Sequence, residues 1–156
     1  ETAQVLTDDG WYLTGDLGFL DEAMYLKIVD RKKRMIIVNG HNAYPSQIES
    51  ALCKHPSIAE AVVIGIPDDR SGEAGKAFIR YRPDLPKDER PDADYLRAFL
   101  AKSLNKLDIP KIFEVREQEL PKTSIGKPDF KALEEEERIK REQQGLNNNK
   151  PSAPSP

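Results

Sequence analysis

The chain has 156 residues, of which 38% are hydrophobic and 33% are charged, a composition that predicts one domain with a modest core and a hydrated surface. With 24 basic and 27 acidic residues the formal net charge is -3, and this near balance excludes general attraction to nucleic acid or to anionic membrane. Cys53 is the single cysteine and no apolar run approaches the roughly 20 residues of a membrane span, so we expect a cytoplasmic protein without disulfides.

The first third of the chain is rich in strand signals. Short strands are predicted within residues 11–29, with breaks at 15–16 and at 21–23, and the second break indicates a β-hairpin. A basic cluster at 31–34 separates two strand systems, and residues 35–38 form a run that Asn39-Gly40 ends. We therefore expect a hairpin within residues 17–38.

The middle of the chain alternates helix and strand patterns. Pro45 fits the first position of a helix over 45–54, in which Ile48, Ala51 and Leu52 form one apolar stripe. We expect Cys53 to be a small core residue beside this stripe, and Tyr95 to be a core residue of a second helix. The other predicted elements are strands at 58–66, 76–82 and 112–116 and a helix over 92–104.

The C-terminal part predicts a loop at 121–127 and a third helix that begins near Pro128 or Asp129. Its continuation from 134 to 144 is nearly all charged, which indicates a frayed extension, and residues 145–156 have a composition typical of disorder. The predicted fold class is α+β, a small mixed sheet with flanking helices preceded by a β-hairpin.

Three stretches carry residues that packing alone does not explain. In Thr14-Gly15-Asp16 the glycine permits a tight turn and Asp16 presents a carboxylate. Such a carboxylate can accept hydrogen bonds from both hydroxyl groups of a ribose. In 29–49 a basic cluster, a Gly-bearing loop and a Pro-started helix bring a cation and backbone amides within reach of one another. In 120–127 the loop ends at Lys127, whose charge can be aimed at a phosphate.

Neither a P-loop nor a metal site is predicted. Pro121 stands where the Walker A pattern requires glycine, and Pro128 stands where that pattern has the Ser or Thr that binds magnesium. His41 and His55 lack partner ligands at metal-binding spacing. Nucleotide chemistry would therefore need another arrangement.

In their order and separations, the three stretches resemble motifs of the adenylate-forming superfamily, which includes acyl-CoA synthetases, aryl-CoA ligases, luciferases and peptide-synthetase adenylation domains. The resemblance covers roughly residues 10–133 and is to the C-terminal domain of AMP-forming acyl-CoA synthetases. These enzymes join a carboxylic acid to ATP, release pyrophosphate, and then let a thiol displace AMP. The resemblance implies that the C-terminal domain rotates between the two steps.

The resemblance also implies a role for each matching residue. Lys127 matches the catalytic lysine that meets the α-phosphate and the carboxylate oxygen during adenylation. Asp16 and Arg31 match nucleotide-binding residues, of which Asp16 accepts the ribose hydroxyls. Lys33 matches the hinge position that absorbs the backbone rotation.

A loop further along matches the passage for the thiol. Asn39, Gly40, His41 and Asn42 match the family loop that lines the CoA passage, where Gly40 would permit close approach of the pantetheine chain. The run Asp-Arg-Lys-Lys followed by Met-Ile-Ile resembles CoA ligases more than peptide-synthetase domains. CoA is therefore the favoured thiol.

The expected substrates of the intact enzyme are ATP with Mg, CoA and a carboxylic acid, and we expect this chain alone to bind none of them tightly and to be inactive. The expected partner is a large N-terminal domain with the phosphate loop and the acid pocket, and a lysine acetyltransferase is a candidate partner because the run 121–127 resembles acetylation sites of the family. The chain begins without a Met, which suggests a fragment. The predicted units are the edge of the N-terminal domain (1–30), the mobile C-terminal domain (31–135) and a charged helix with a disordered tail (136–156).

Two other hypotheses remain open from the sequence. The chain could be a non-catalytic binding module that retains this fold, or part of a ligase that delivers the acyl adenylate to a carrier-protein thiol. The acid substrate is not readable, because its pocket belongs to the N-terminal domain of the family.

Overall fold

The computed structural model describes residues 5–143 and 145. Three short 3-10 turns lie at Lys32–Arg34, Lys87–Glu89 and Lys106–Asp108. The other elements, in chain order, are β1 (Asp16–Leu20), β2 (Leu26–Arg31), β3 (Ile36–Val38), β4 (His41–Ala43), α1 (Pro45–Cys53), β5 (Ile58–Asp68), β6 (Gly72–Tyr81), α2 (Ala93–Leu100), β7 (Ile112–Val115) and α3 (Phe130–Gln143).

The β1–β2 hairpin forms a two-stranded antiparallel sheet of its own. Its turn is organised by Asp21, whose carboxylate accepts hydrogen bonds from the backbone N–H groups of Ala23 at 3.0 Å and Tyr25 at 2.9 Å. Such side-chain to backbone bonds stabilise a turn locally, without a tertiary partner. Phe19 and Ile28 are more than half exposed on this hairpin.

The main sheet is mixed, as expected from the sequence. Strand β6 lies at its centre and pairs antiparallel with β5 along one side. On its other side it pairs parallel with β7 and, through Val38 and Gly72, antiparallel with β3. Strand β4 extends the sheet beyond β3.

Both faces of the main sheet are buried at β5 and β6, which explains why apolar residues predominate on both sides of these strands. Val63 and Ile79 face one side and join the core beneath α1 and α2, whereas Val62 and Phe78 face the other and pack against Leu133 of α3. This alternation follows the period of two of a β-strand. The α+β class with flanking helices is therefore confirmed.

Helices α1 and α2 begin where the sequence predicts. Pro45 occupies the first turn of α1, and the Asp92 carboxylate caps α2 by accepting the Tyr95 N–H at 2.8 Å. Helix α2 is shorter than expected, since it ends at Leu100 and continues as turns.

The expectation that Cys53 and Tyr95 are core residues is wrong. Cys53 is exposed, and Tyr95 is 55% exposed. Each side chain is rotated by about 100° around its helix from an adjacent buried leucine, Leu52 or Leu96, so it points away from the apolar stripe.

Helix α3 is continuous to Gln143, whereas the sequence predicted a frayed helix after residue 135. The buried amine of Lys76 on β6 explains the difference. It lies 2.5 Å from Glu137 of α3 and 2.7 Å from Glu114 of β7. The charged face of α3 is thus held against the sheet by ion pairs, and Glu137 is buried. Apart from Gly145, the predicted disordered tail at 145–156 lies outside the described residues.

Two further differences concern the strands. Residues 36–38 belong to the main sheet, so the hairpin spans 16–31 instead of 17–38. The three-residue strand β4 was not predicted, because His41, Asn42 and Ala43 have low intrinsic strand preference apart from the turn that pairs them with β3.

Candidate functional site

The end of β2 is anchored to the start of α1 through Asp30, which is only 7% exposed. Its carboxylate accepts the N–H of Arg31 at 2.7 Å and the N–H of Ser46 at 2.8 Å. The Ser46 hydroxyl donates to the carbonyl of Val29 at 2.8 Å. The predicted hinge residue Lys33 lies between these two segments, inside the 3-10 turn Lys32–Arg34.

Asp16 and Arg31 face each other across the hairpin. They are register partners on β1 and β2, and Arg31 Nε lies 2.9 Å from Asp16 Oδ1. The Arg31 side chain is 67% exposed, and ion pairs in such positions contribute only about 0–1 kcal/mol. Both predicted nucleotide-binding residues are therefore close together, and a ligand can replace their mutual contact at little cost.

The loop that presents Lys127 is held by its own backbone. The N–H of Thr123 donates to the Lys127 carbonyl at 2.7 Å, and the N–H of Gly126 donates to the Thr123 carbonyl at 2.8 Å. Gly126 has a φ of 78°, in the left-handed region that glycine adopts without strain. Lys127 itself is exposed, and it forms no salt bridge with a carboxylate of residues 5–143.

Arg34 joins the turn Lys32–Arg34 to α1, to β5 and to the start of α3. Its guanidinium lies 2.5 Å from Glu49 of α1 and 4.8 Å from the centre of the Phe130 ring, at the start of α3. It also donates to the Val63 carbonyl at 3.3 Å. Sequence analysis included Arg34 in the basic cluster without assigning it a role, and it did not identify Phe130.

A cleft of about 410 Å³ brings the predicted catalytic and nucleotide-binding cations together. Arg31, Arg34 and Lys127 all line it, with Thr123 and Ser124 between them. Arg34 is paired with Glu49, so the cations left to a ligand are Lys127 and, once its exposed pair with Asp16 opens, Arg31. These two groups favour a phosphorylated ligand over a neutral one. The structure thus unites Arg31 with Lys127, and it places Asp16 beside them through its ion pair.

The predicted CoA-passage loop lies elsewhere. Asn39 and Gly40 have φ values of 51° and 78° and form a two-residue turn between β3 and β4, the typical Asn-Gly hairpin connection. His41 follows at the start of β4, where its Nε2 lies 2.8 Å from Asp108 Oδ1, and Asn42 is exposed. The two-residue Asn-Gly signal would have identified β4 from the sequence.

A second cleft, of about 190 Å³, lies beside this loop. Asn39 and Ser71 line it together with three basic side chains, those of Arg70, Lys106 and Lys111. It shares no lining residue with the Lys127 cleft. The chain therefore presents two separate basic surfaces.

Two further results concern residues 5–143 and 145. They contain no cluster of three or more His, Cys, Asp or Glu side chains suited to a metal ion. No helix within this part of the chain has the length and apolar character to cross a membrane.

The sequence model described as AMP-binding enzyme C-terminal domain matches residues 47–127, which begin in the first turn of α1 and end at Lys127. The chain belongs to this family of AMP-binding C-terminal domains. The resemblance to the C-terminal domain of AMP-forming acyl-CoA synthetases is thereby confirmed, and the matched residues include most of α1 and the loop that ends at Lys127.

Several curated relatives of this AMP-binding C-terminal domain are long-chain-fatty-acid–CoA ligases. A long-chain-fatty-acid–CoA ligase of Bacillus subtilis is 46% identical over 137 residues, which are 88% of this chain and 23% of that protein. The ligase of the same description from Escherichia coli O6:H1 is 40% identical over 132 residues, 85% of this chain and 22% of that protein. The chain thus spans about a quarter of the length of these relatives.

Solved structures agree with the AMP-binding C-terminal domain assignment. ATP-bound MatB from Rhodopseudomonas palustris matches with a TM-score of 0.77 and 32% identity, covering 86% of this chain and 26% of that chain. A Mycobacterium tuberculosis fatty acyl CoA synthetase matches with a TM-score of 0.67 and 32% identity, covering 90% and 27%.

Proposed function

We propose that this chain is the C-terminal domain of an ATP-dependent acid–CoA ligase and that it acts with a large N-terminal domain. The overall reaction would convert a carboxylic acid, ATP and CoA into acyl-CoA, AMP and pyrophosphate through an acyl adenylate. The single observation that carries the proposal is the cleft at which Arg31, Arg34 and Lys127 converge. The names of the long-chain-fatty-acid–CoA ligases favour a fatty acid as the substrate class.

In the adenylation step, Lys127 would approach the α-phosphate as the acid oxygen attacks and pyrophosphate leaves with Mg. Its amine is exposed and its loop is fixed by backbone hydrogen bonds, so the charge can be aimed without first breaking an ion pair. A positive charge placed where negative charge develops lowers the barrier, because it binds the transition state more strongly than the substrates. Asp16 and Arg31 would hold the ribose and the phosphate side of the nucleotide.

In the thioester step, the Asn39–Asn42 loop would replace the Lys127 loop at the reacting centre. The two loops line different clefts without a lining residue in common, which supports their use at different steps. A rotation at Lys33 in the turn between β2 and β3 would exchange them. The CoA thiol would then attack the acyl carbon and AMP would leave with the electron pair of the broken bond.

We also propose domain boundaries at residues 30 and 135, a cytoplasmic location and a lysine acetyltransferase as a partner. The roles given above for individual residues belong to the same proposal. Asp16, the proposed ribose-binding residue, forms an ion pair with Arg31 in this structure. This pair must open for Asp16 to accept ribose hydroxyls, and the exposure of Arg31 keeps that cost small.

The test uses the longer protein that carries this chain. Purified protein is assayed with a panel of carboxylic acids for acid-dependent ATP–pyrophosphate exchange and, separately, for acyl-CoA formation. We expect both activities with the same acid. Exchange without acyl-CoA, but with acyl transfer to a carrier protein, would replace CoA with a carrier thiol, and the absence of exchange with every acid would contradict the enzyme assignment.

A further inference from the structure

His41 and Asp108 form a long-range contact between two surface segments. His41 begins β4 and Asp108 ends the 3-10 turn Lys106–Asp108, and His41 Nε2 lies 2.8 Å from Asp108 Oδ1. A carboxylate oxygen only accepts hydrogen bonds, so Nε2 must carry the hydrogen. The side chains are 35% and 16% exposed, and neither belongs to the apolar core. The contact is therefore not explained by packing of the core.

Each partner sits on a segment that is already ordered by local hydrogen bonds. On one side, the Asn39 N–H donates to the Ser71 carbonyl at 2.9 Å, which fixes the Asn39-Gly40 turn against the start of β6. On the other side, the Asn105 side chain accepts the Leu107 N–H at 3.0 Å and caps the 3-10 turn. The His41–Asp108 hydrogen bond joins these two ordered segments directly.

The same two segments form walls of the second cleft. Asn39 lines it from the loop, and Lys106 and Leu107 line it from the turn. The distance between the walls therefore depends on the His41–Asp108 bond. Lys111 is paired with Asp68, whereas Arg70 and Lys106 form no salt bridge with the carboxylates of residues 5–143, so the cleft keeps a positive surface.

We infer that Asp108 is a positioning residue for the thioester-forming step. It holds His41, and through it the Asn39–Asn42 loop, in the position that admits the arm of the thiol substrate. Asp108 does not touch the reacting atoms, because its carboxylate is engaged with His41. This inference rests on the proposed function and adds to it a residue outside the loop.

The test uses the longer protein that carries this chain and measures its KM for CoA and its pyrophosphate exchange, with the acid substrate at saturation. Asp108→Ala removes the acceptor, and His41→Phe keeps a ring but removes the donor. Asp108→Asn keeps an oxygen acceptor at the same place. Asp88→Ala is the matched control, because Asp88 is an exposed aspartate in another 3-10 turn, Lys87–Glu89.

We expect Asp108→Ala and His41→Phe each to raise the KM for CoA about tenfold, the size of effect that one hydrogen bond to a charged group supports. The double variant should be no worse than either single variant, since both remove one bond. Asp108→Asn should restore most of the affinity for CoA, and acid-dependent pyrophosphate exchange should stay within about twofold of wild type in every variant.

Other outcomes overturn the inference in distinguishable ways. Wild-type CoA parameters in Asp108→Ala would leave the proposed function standing and remove the role of Asp108. Equal loss of exchange and thioester formation, or additive effects in the double variant, would point to a general structural defect instead. A wild-type protein that makes no acyl-CoA at all would overturn the proposed function together with this inference.

Discussion

The amine of Lys76 on β6 lies 2.5 Å from Glu137 on α3, and both residues are buried where the helix packs on the sheet. Glu114 completes the arrangement at 2.7 Å from the same amine. Lys140 and Arg116 add further contacts to Glu114 at 3.1 Å and 2.6 Å. Helix α3 is thus attached to the sheet by charge as well as by Leu133.

Replacing Lys76 with methionine should destabilise the chain by roughly 3 kcal/mol, because two carboxylates would lose their shared cation in a partly dry environment. Chemical denaturation of the isolated chain, monitored by circular dichroism, measures this difference. Lys102→Met is the control, since Lys102 is exposed and should change stability little. A loss below about 1 kcal/mol for Lys76→Met would contradict the importance of the buried pair.

The same cluster should make the fold sensitive to acid. Burial alone would raise the pKa of Glu114, but hydrogen bonds from Lys76 and Lys140 outweigh it and hold that pKa below its ordinary value of 4.5. The hydrogen bond from Arg116 similarly lowers the pKa of Glu136. A carboxyl group with a lowered pKa in the folded state stabilises that state above its ordinary pKa, and the contribution is lost as pH falls through the folded value.

We therefore expect the melting temperature to fall steeply below about pH 4.5. Thermal melts from about pH 7 down to about pH 3 measure this. In Lys76→Met the fall should be smaller, because the principal donor to Glu114 is gone. An identical acid dependence in both proteins would show that other carboxylates control acid stability.

Lys127→Ala should separate the two half-reactions in the longer protein. Loss of the charge should reduce acid-dependent pyrophosphate exchange by ~100-fold or more, while thioester formation from supplied acyl adenylate remains close to wild type. Lys131→Ala is a suitable control, because Lys131 is an exposed lysine four residues further along, in the first turn of α3. Equal loss of both activities in Lys127→Ala would exclude a role confined to adenylation.

Lys33→Pro should restrict the proposed rotation, because proline fixes φ near about -65° within the turn Lys32–Arg34. We expect adenylation to survive and thioester formation to fall, and Lys33→Ala to retain both because its backbone stays free. Overall turnover equal to wild type in Lys33→Pro would place the hinge at another residue.

The isolated chain should melt cooperatively and remain catalytically silent. Its core is buried on both sheet faces, whereas the cleft at Lys127 offers a nucleotide contacts on one side only. We expect ATP affinity no tighter than roughly millimolar, about -4 kcal/mol. Calorimetric titration checks this value, and micromolar affinity or acyl-CoA production would contradict the need for a second domain.

The elements that the sequence predicts well are those with strong local patterns. Helix α1 has its proline start and apolar stripe, and β5 and β6 contain clusters of Ile, Val, Phe and Tyr that favour strands. Strand β4 was missed because three residues give no periodicity, and its formation depends on the Asn39-Gly40 turn. Glu137 was assigned to a frayed helix because its partner Lys76 is remote in the sequence.

The candidate site shows the same limit. Arg31 and Lys127 were selected through a resemblance of motifs, since their spacing along the chain carries no information about their shared cleft. Arg34 and Asp108 were not selected at all. Their roles depend on contacts with Glu49, Phe130 and His41, which only the folded chain brings together.

The two hydrogen bonds of Ser46 span the turn Lys32–Arg34, because Ser46 follows Lys33 whereas its partners Val29 and Asp30 precede it. A rotation at Lys33 that separates β2 from α1 must break both. At about 1 kcal/mol net for each bond, the observed orientation is favoured by ~2 kcal/mol, a population ratio of about thirtyfold. A second orientation must therefore make new contacts of at least that strength, within the protein or with a substrate, to become the more populated one.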